Sequence, residues 1–205
     1  MYNYLPDPNT KEFLDAVLRL AHLAEYREGN NQRHLERVSK YCHLLGEGID
    51  LPAQEVDVIA AASQLHDIGK ISIPDRMLNK AENLNPDEWE IIKSHTTIGA
   101  SLLHGTPSRI MQQGEIIALG HHERWNGSGY PKGHTEEDIP VSARIVAIAD
   151  VFDALTTKRP YKDEISAEEA KALILDYRGE LFDPKIVDIF EKRFSEIKRI
   201  REKIS

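Results

Sequence analysis

A single cysteine, Cys42, stands in a chain of 205 residues, so no internal disulfide can form and stability must come from packing. A lone thiol fits a reducing compartment, and a cytoplasmic protein is expected. No apolar run approaches the roughly 20 residues that would span a bilayer. Met1 to Leu14 has neither the basic start nor the apolar stretch of a secretory leader. Positive charge is scarce as well: 26 Lys and Arg against 34 Asp and Glu leave a formal charge of -8. Proteins that coat nucleic acid carry a basic face, so neither a nucleic-acid polymer nor a membrane is an expected partner. Nor is any alternating run rich in Val, Ile and Thr long enough to demand a sheet.

What is present is ordinary globular composition, 40% hydrophobic and 29% charged, written as helix after helix. The expected fold class is all-α, in one domain. Helices are predicted over Phe13 to Glu28 and over Gln32 to Leu45, where His34, Val38, Tyr41 and Leu45 recur on one face. Pro52 suits the first turn of a third helix whose inward face carries Val56, Ile59, Ser63 and His66, with Gly69 as its terminator. Asn85-Pro86-Asp87-Glu88 is a helix start, and His95 is expected on that helix. A further helix should run from Ser108 to His122, ahead of a glycine-rich loop over Asn126 to Gly133. Arg144 to Asp150 is nearly all apolar and reads as a buried helix. A capping box at Ser166 to Glu169 and the pair Asp183-Pro184 open the last helices, which end in the charged segment Lys192 to Lys203.

Through these helices run His34, His66-Asp67, His95, His121-His122 and Asp150. A lone histidine on an apolar face is more often a hydrogen-bonded core residue than a ligand, and His22, His43, His104 and His134 keep that plain reading. The joint arrangement is different. Asp67 beside His66 can bridge two ions while its neighbour binds one, and His121-His122 repeat the pairing with imidazoles. Such a set is too large for one ion, and imidazole with carboxylate, without thiolate, suits Fe, Mn or Ni, with Zn, Co or Mg compatible. Two divalent ions less two aspartates and one bridging hydroxide leave about +1 in a poorly solvated pocket, which favours an anionic substrate such as a phosphodiester. That hydroxide would be the nucleophile, and no organic cofactor is implied.

The order His34, His66-Asp67 with Gly69-Lys70, His95, His121-His122-Glu123, Gly129-Tyr130-Pro131, and Asp150 with Asp153-Ala154-Leu155 resembles the HD-GYP family of bacterial cyclic-dinucleotide phosphodiesterases. The resemblance implies an HD-superfamily helical bundle with the HD-GYP loop extension, over residues 12–205 behind an N-terminal extension of residues 1–11. It implies hydrolysis of cyclic di-GMP to pGpG or on to GMP. On it, His34, His66, Asp67 and Asp150 would hold one ion, with Asp67 bridging and catalytically essential, and His95, His121 and His122 would complete a second. Lys70 would approach a substrate phosphate as the other catalytic residue. Tyr130, Arg159 and Lys162 would contact the substrate, and Asp153, one helical turn after Asp150, would support a ligand from behind.

The chain departs from the family pattern twice. Some members hold a third ion through a glutamate one helical turn before the first histidine; here that residue is Asn30, a poor anionic ligand, so two ions are expected. Asn126 stands where Asp is common before Gly-Tyr-Pro, and its side-chain oxygen should hold the same turn. Alternatives are an HD-superfamily phosphohydrolase on another nucleotide, such as cyclic GMP-AMP, ppGpp or a dNTP, and a module that docks GGDEF domains through the Gly129-Tyr130-Pro131 loop. A homodimer through the first helix is a further expectation. Residues 1–10 are too short for the sensory or receiver domain that family members usually carry.

Overall fold

The computed structural model describes residues 8–27, 33–80, 82–158 and 163–204, with side-chain surroundings from residue 12 onward. Its helices are α1 Pro8–Tyr26, α2 His34–Gly48, α3 Ala53–Ala62, α4 Asp75–Leu78, α5 Pro86–Lys93, α6 His95–Leu103, α7 Arg109–Gly120, α8 Val141–Thr156, α9 Ala167–Asp176, α10 Pro184–Lys192 and α11 Phe194–Lys203. Among the described residues there is no strand, only isolated bridges pairing Asn126 with Thr135 and Arg178 with Phe182. None of these helices is long and apolar enough to cross a membrane.

Helix starts follow the local chemistry. Asn85 Oδ1 accepts the Glu88 N–H and the Glu88 carboxylate accepts the Asn85 N–H, both at 2.9 Å. Ser166 and Glu169 make the same reciprocal pair. α2 packs against α3 on one side and α8 on the other, with α10 and α11 closing over it. The apolar run in α8 is buried as expected: Ile145, Val146, Ile148 and Phe152 have no exposed surface. The Phe152 ring meets Tyr41 and Phe190 edge-on, each 5.4 Å between centroids.

Several boundaries differ from the sequence reading. α1 begins at Pro8 rather than Phe13. His95 opens a new helix instead of extending the one from Asn85, because the helical pattern is interrupted at Ser94. There the side chains of Ser94, His95 and Thr96 bond back to the carbonyls of Ile91, Ile92 and Lys93 and compete with the regular ladder. The terminal helix divides at Arg193, whose guanidinium donates to the Leu44 carbonyl and to Glu47 on α2. Gly69 is not a helix terminator. α3 has already passed into a 3-10 turn at Ser63, and Gly69 lies in a second one, Ile68–Ser72, pressed onto α6. A Cβ on Gly69 would stand 1.9 Å from the His95 carbonyl oxygen and 2.6 Å from the Gly99 nitrogen, so glycine is needed for close approach of two backbones.

Candidate metal centre

The start of α2, the turn after α3, the start of α6, the end of α7 and the middle of α8 meet at one buried place. His34, His66, Asp67, His95 and His121 are all at most 6% exposed. Asp67 stands in the middle and turns its two oxygens in opposite directions. Oδ2 faces His66 Nε2 at 3.2 Å, and Oδ1 faces His95 Nε2 at 3.2 Å and His121 Nε2 at 3.5 Å. Asp150 Oδ1 lies 3.6 Å from His34 Nε2 and 3.8 Å from His66 Nε2. One cluster of ligand atoms within 4.8 Å of one another is Asp67, His95, His121 and His122; another is Glu25, His34 and His66.

The imidazoles are braced from behind. Nδ1 of His66 is 2.8 Å from the Ser63 carbonyl, that of His95 is 2.7 Å from the Ile92 carbonyl, and that of His121 is 3.0 Å from the Ile117 carbonyl. A carbonyl only accepts, so Nδ1–H donates in each case and Nε2 is left to face the centre. His34 Nδ1 is braced by Asp153 Oδ2 at 2.8 Å. Asp153 is itself gripped by Arg37, with Nε at 2.6 Å and Nη2 at 2.8 Å. Burial acts to raise the Asp153 carboxyl, but the Arg37 and His34 hydrogen bonds outweigh it and hold the group at about 2.

The donor set fits divalent cations. His66 Nε2 on one side of Asp67 and Asp67 Oδ1 on the other are buried and make no hydrogen bond in the structure, a costly arrangement that a cation on each side would relieve. Burial opposes a charge on His66, yet Asp67 above all, with Asp150 and Glu25, pushes that imidazole up to about 10. The negative field on this side therefore calls for a positive charge. Burial would raise Asp67, but Lys70 and His66 keep it well below the usual carboxylate range. On the other side burial, then the neighbouring imidazoles, lowers His121 and His122, so both are neutral donors at neutral pH.

Lys70 Nζ sits 2.6 Å from Asp67 Oδ2. Tyr130 stacks on His122 with centroids 4.7 Å apart at 24°, and Lys93 Nζ stands 5.8 Å from the Tyr130 centroid. The loop carrying Tyr130 is clamped by Glu123, whose buried carboxylate accepts the N–H groups of Lys132 at 2.8 Å and His134 at 3.1 Å. Asn126 holds the turn as expected: its Oδ1 accepts the Ser128 N–H at 3.0 Å. Asn30, Arg159 and Lys162 lie outside the described residues. Of the histidines given the plain reading, His43 and His104 pair with surface carboxylates away from the centre.

Two buried side chains were missed in the sequence. Glu25 breaks the apolar stripe Leu14, Leu18 and Ala21 of α1, and Arg37 sits one turn after His34 beside Val38. A charged residue on an inward helical stripe is the signal that marks both.

A sequence profile described as HD domain matches residues 19–186. The response regulator RpfG of Xanthomonas campestris, a cyclic di-GMP phosphodiesterase by name, is 46% identical over 91% of this chain and 49% of its own length. A cyclic di-GMP phosphodiesterase of Thermotoga maritima is 47% identical over 91% of this chain and 51% of its own. The 3'3'-cGAMP-specific phosphodiesterase 2 of Vibrio cholerae is 41% identical over 91% and 36%. In three dimensions, a cyclic GMP-AMP phosphodiesterase of Vibrio cholerae superimposes with a TM-score of 0.69 at 22% identity, over 94% of this chain and 50% of that one. An HD-GYP protein from Bdellovibrio bacteriovorus gives 0.65 at 20%, over 92% and 65%. These two likenesses speak for the fold. Fold and site together define an HD-type helical bundle built to hold metal ions. The chain belongs to the HD-domain family, in its HD-GYP branch, and spans about half the length of the curated relatives it matches.

Proposed function

We propose that this chain is a metal-dependent phosphodiesterase of the cytoplasm that hydrolyses cyclic di-GMP to linear pGpG or on to GMP, using two divalent transition-metal ions. The carrying observation is the division of Asp67 between two imidazole groups, Oδ2 toward His66 and Oδ1 toward His95 and His121. His34, His66, Asp67 and Asp150 would hold one ion and Asp67, His95, His121 and His122 the other. Bound there, the ions supply Lewis acidity and a water of lowered pKa.

The chain's own groups do the rest. Asp153 and the carbonyls of Ser63, Ile92 and Ile117 fix the imidazoles, so little reorganisation is needed when substrate enters. Lys70 stands 2.6 Å from Asp67 Oδ2 and would donate to a phosphate oxygen. Tyr130 holds His122 by stacking and lines the approach, and burial raises its phenol, so it stays neutral. Asp153 and Arg37 position His34 and touch no substrate. Arg159 and Lys162 are assigned to the substrate phosphates on the family resemblance alone. The names of the three relatives given above, each a cyclic-dinucleotide phosphodiesterase, support this substrate class over ppGpp or a dNTP.

The test is hydrolysis of cyclic di-GMP, 3'3'-cyclic GMP-AMP and ppGpp by the chain loaded in turn with Mn, Fe(II) and Ni. Cyclic di-GMP turnover that Asp67→Ala abolishes is expected. Preferential turnover of cyclic GMP-AMP would change the substrate within the class. No turnover with any metal, while a GGDEF domain still binds, would replace the enzyme with a docking module.

A further inference from the structure

Glu25 sits on the inward face of α1, one turn after Ala21, and is 3% exposed. Its Oε2 lies 3.9 Å from His34 Nε2, and its carboxylate, His34 and His66 each bring a ligand atom within 4.8 Å of the others. Asp150 faces the same two imidazoles from α8 at 3.6 and 3.8 Å. Two carboxylates from different helices thus converge on one pair of histidines. Among the described residues, the opposite group, His95, His121 and His122, is joined by one carboxylate, its share of Asp67.

We propose that Glu25 is a ligand of the ion held by His34, His66, Asp67 and Asp150, and that it makes the two halves of the centre unequal. This rests on the two-ion reading given above. The Glu25 half carries two carboxylates of its own plus a share of Asp67; Lys70 Nζ, 3.8 Å from Glu25 Oε1 and 2.6 Å from Asp67 Oδ2, offsets one of these charges, and the remaining excess of negative charge over the imidazole half draws a dication there first. Its oxygen-rich donors favour the harder ions of the series, Mn and Fe(II), whereas the imidazole half suits Ni or Zn. Because Glu25 belongs to α1 while His34, His66 and Asp150 belong to other elements, filling this half also ties α1 to the bundle. The sequence position that would supply an extra carboxylate by family pattern is Asn30; Glu25 brings one from a different place in the chain, for the same ion rather than a third.

The experiment is calorimetric titration of Mn into the chelator-stripped chain, with Glu25→Gln, Glu25→Asp and His122→Ala alongside and metal content read by mass spectrometry. Glu25→Gln should weaken the tighter of two binding steps by about 10- to 100-fold and leave the other within about threefold, with His122→Ala doing the reverse. Glu25→Asp should recover part of the loss, and backbone hydrogen exchange in α1 should slow on metal loading in the wild type but not in Glu25→Gln. Unchanged steps in Glu25→Gln, or equal weakening of both, overturn the proposal. So does weakening of the same step by Glu25→Gln and His122→Ala. A wild-type chain that binds no metal would instead overturn the two-ion reading itself. If Glu25→Gln fails to fold, the exchange of α1 in the wild type and the affinities of Glu25→Asp decide.

Discussion

Asp153 Oδ2 lies 2.8 Å from His34 Nδ1 while the same carboxylate is held at both oxygens by the fully buried Arg37. One side chain therefore sets the direction of the His34 imidazole and neutralises an interior guanidinium. Asp153→Asn should destabilise the fold by about 3–5 kcal/mol, because it leaves a buried cation without its partner, as measured by urea unfolding. Metal affinity should fall about 10- to 100-fold with it. A double variant, Arg37→Met with Asp153→Asn, should cost less stability than Asp153→Asn alone, since no unpaired charge remains. The carboxyl is depressed in the folded state, so its contribution is full above its unfolded pKa of about 4 and is lost as pH falls toward 2.

Asp67→Asn removes the charge shared by both halves of the centre. The expected result is loss of turnover together with loss of bound metal, read by elemental analysis. In the wild type, stripping metal with a chelator should lower the melting temperature, since ligand at 100 times its Kd adds about 2.7 kcal/mol to the folded state. A melting temperature unmoved by the chelator would argue against any resident ion.

Gly69→Ala should be among the most damaging single-methyl additions in the chain. The new Cβ would fall 1.9 Å from the His95 carbonyl oxygen and 2.6 Å from the Gly99 nitrogen, and backbone cannot step aside as a side chain can. A loss at or above the upper end of about 1–3 kcal/mol is expected, measured by thermal unfolding. His95 and Asp67 would be pushed apart, so metal content should drop as well.

Glu123→Ala tests the clamp on the Tyr130 loop. It removes two charge-assisted hydrogen bonds, to Lys132 and His134, each worth about 1.5–3 kcal/mol where buried. Metal content should stay near that of the wild type while kcat/KM for cyclic di-GMP falls at least tenfold, mainly through KM. Equal loss of metal would show that the loop holds His122 rather than substrate.

Cys42 has no exposed surface, and burial pushes its thiol up to about 12. A thiol reagent should label it only at the rate of unfolding. Fast labelling of the native chain, followed by absorbance, would contradict the packing of α2 against α3.

Much was legible in the sequence because periodicity and local chemistry carry it. The capping boxes at Asn85 and Ser166, the buried run of α8 and the inward face of α2 with His34, Val38, Tyr41 and Leu45 depend on near neighbours only. The gathering of the histidines and aspartates was readable because His66-Asp67 and His121-His122 stand as pairs among inward-facing helical residues. The interruption at Ser94 comes from side-chain bonds to carbonyls three residues back, which hydrophobic periodicity does not show; the split at Arg193 and the true duty of Gly69 were not readable because each depends on a partner far away in sequence, α2 for Arg193 and the His95 carbonyl for Gly69.

By itself the sequence determined an all-α chain without disulfides or membrane spans, the types of metal donor and their order along the helices. Only the tertiary structure decided which donors face which: that Asp67 turns one oxygen to each imidazole group, that Arg37 and Asp153 stand behind His34, and that Glu25 comes to the centre from α1. The reason is geometric. Helical periodicity says which side of a helix is inward, but the meeting of six segments, α1 included, depends on how their side chains pack, and that is a property of the whole bundle.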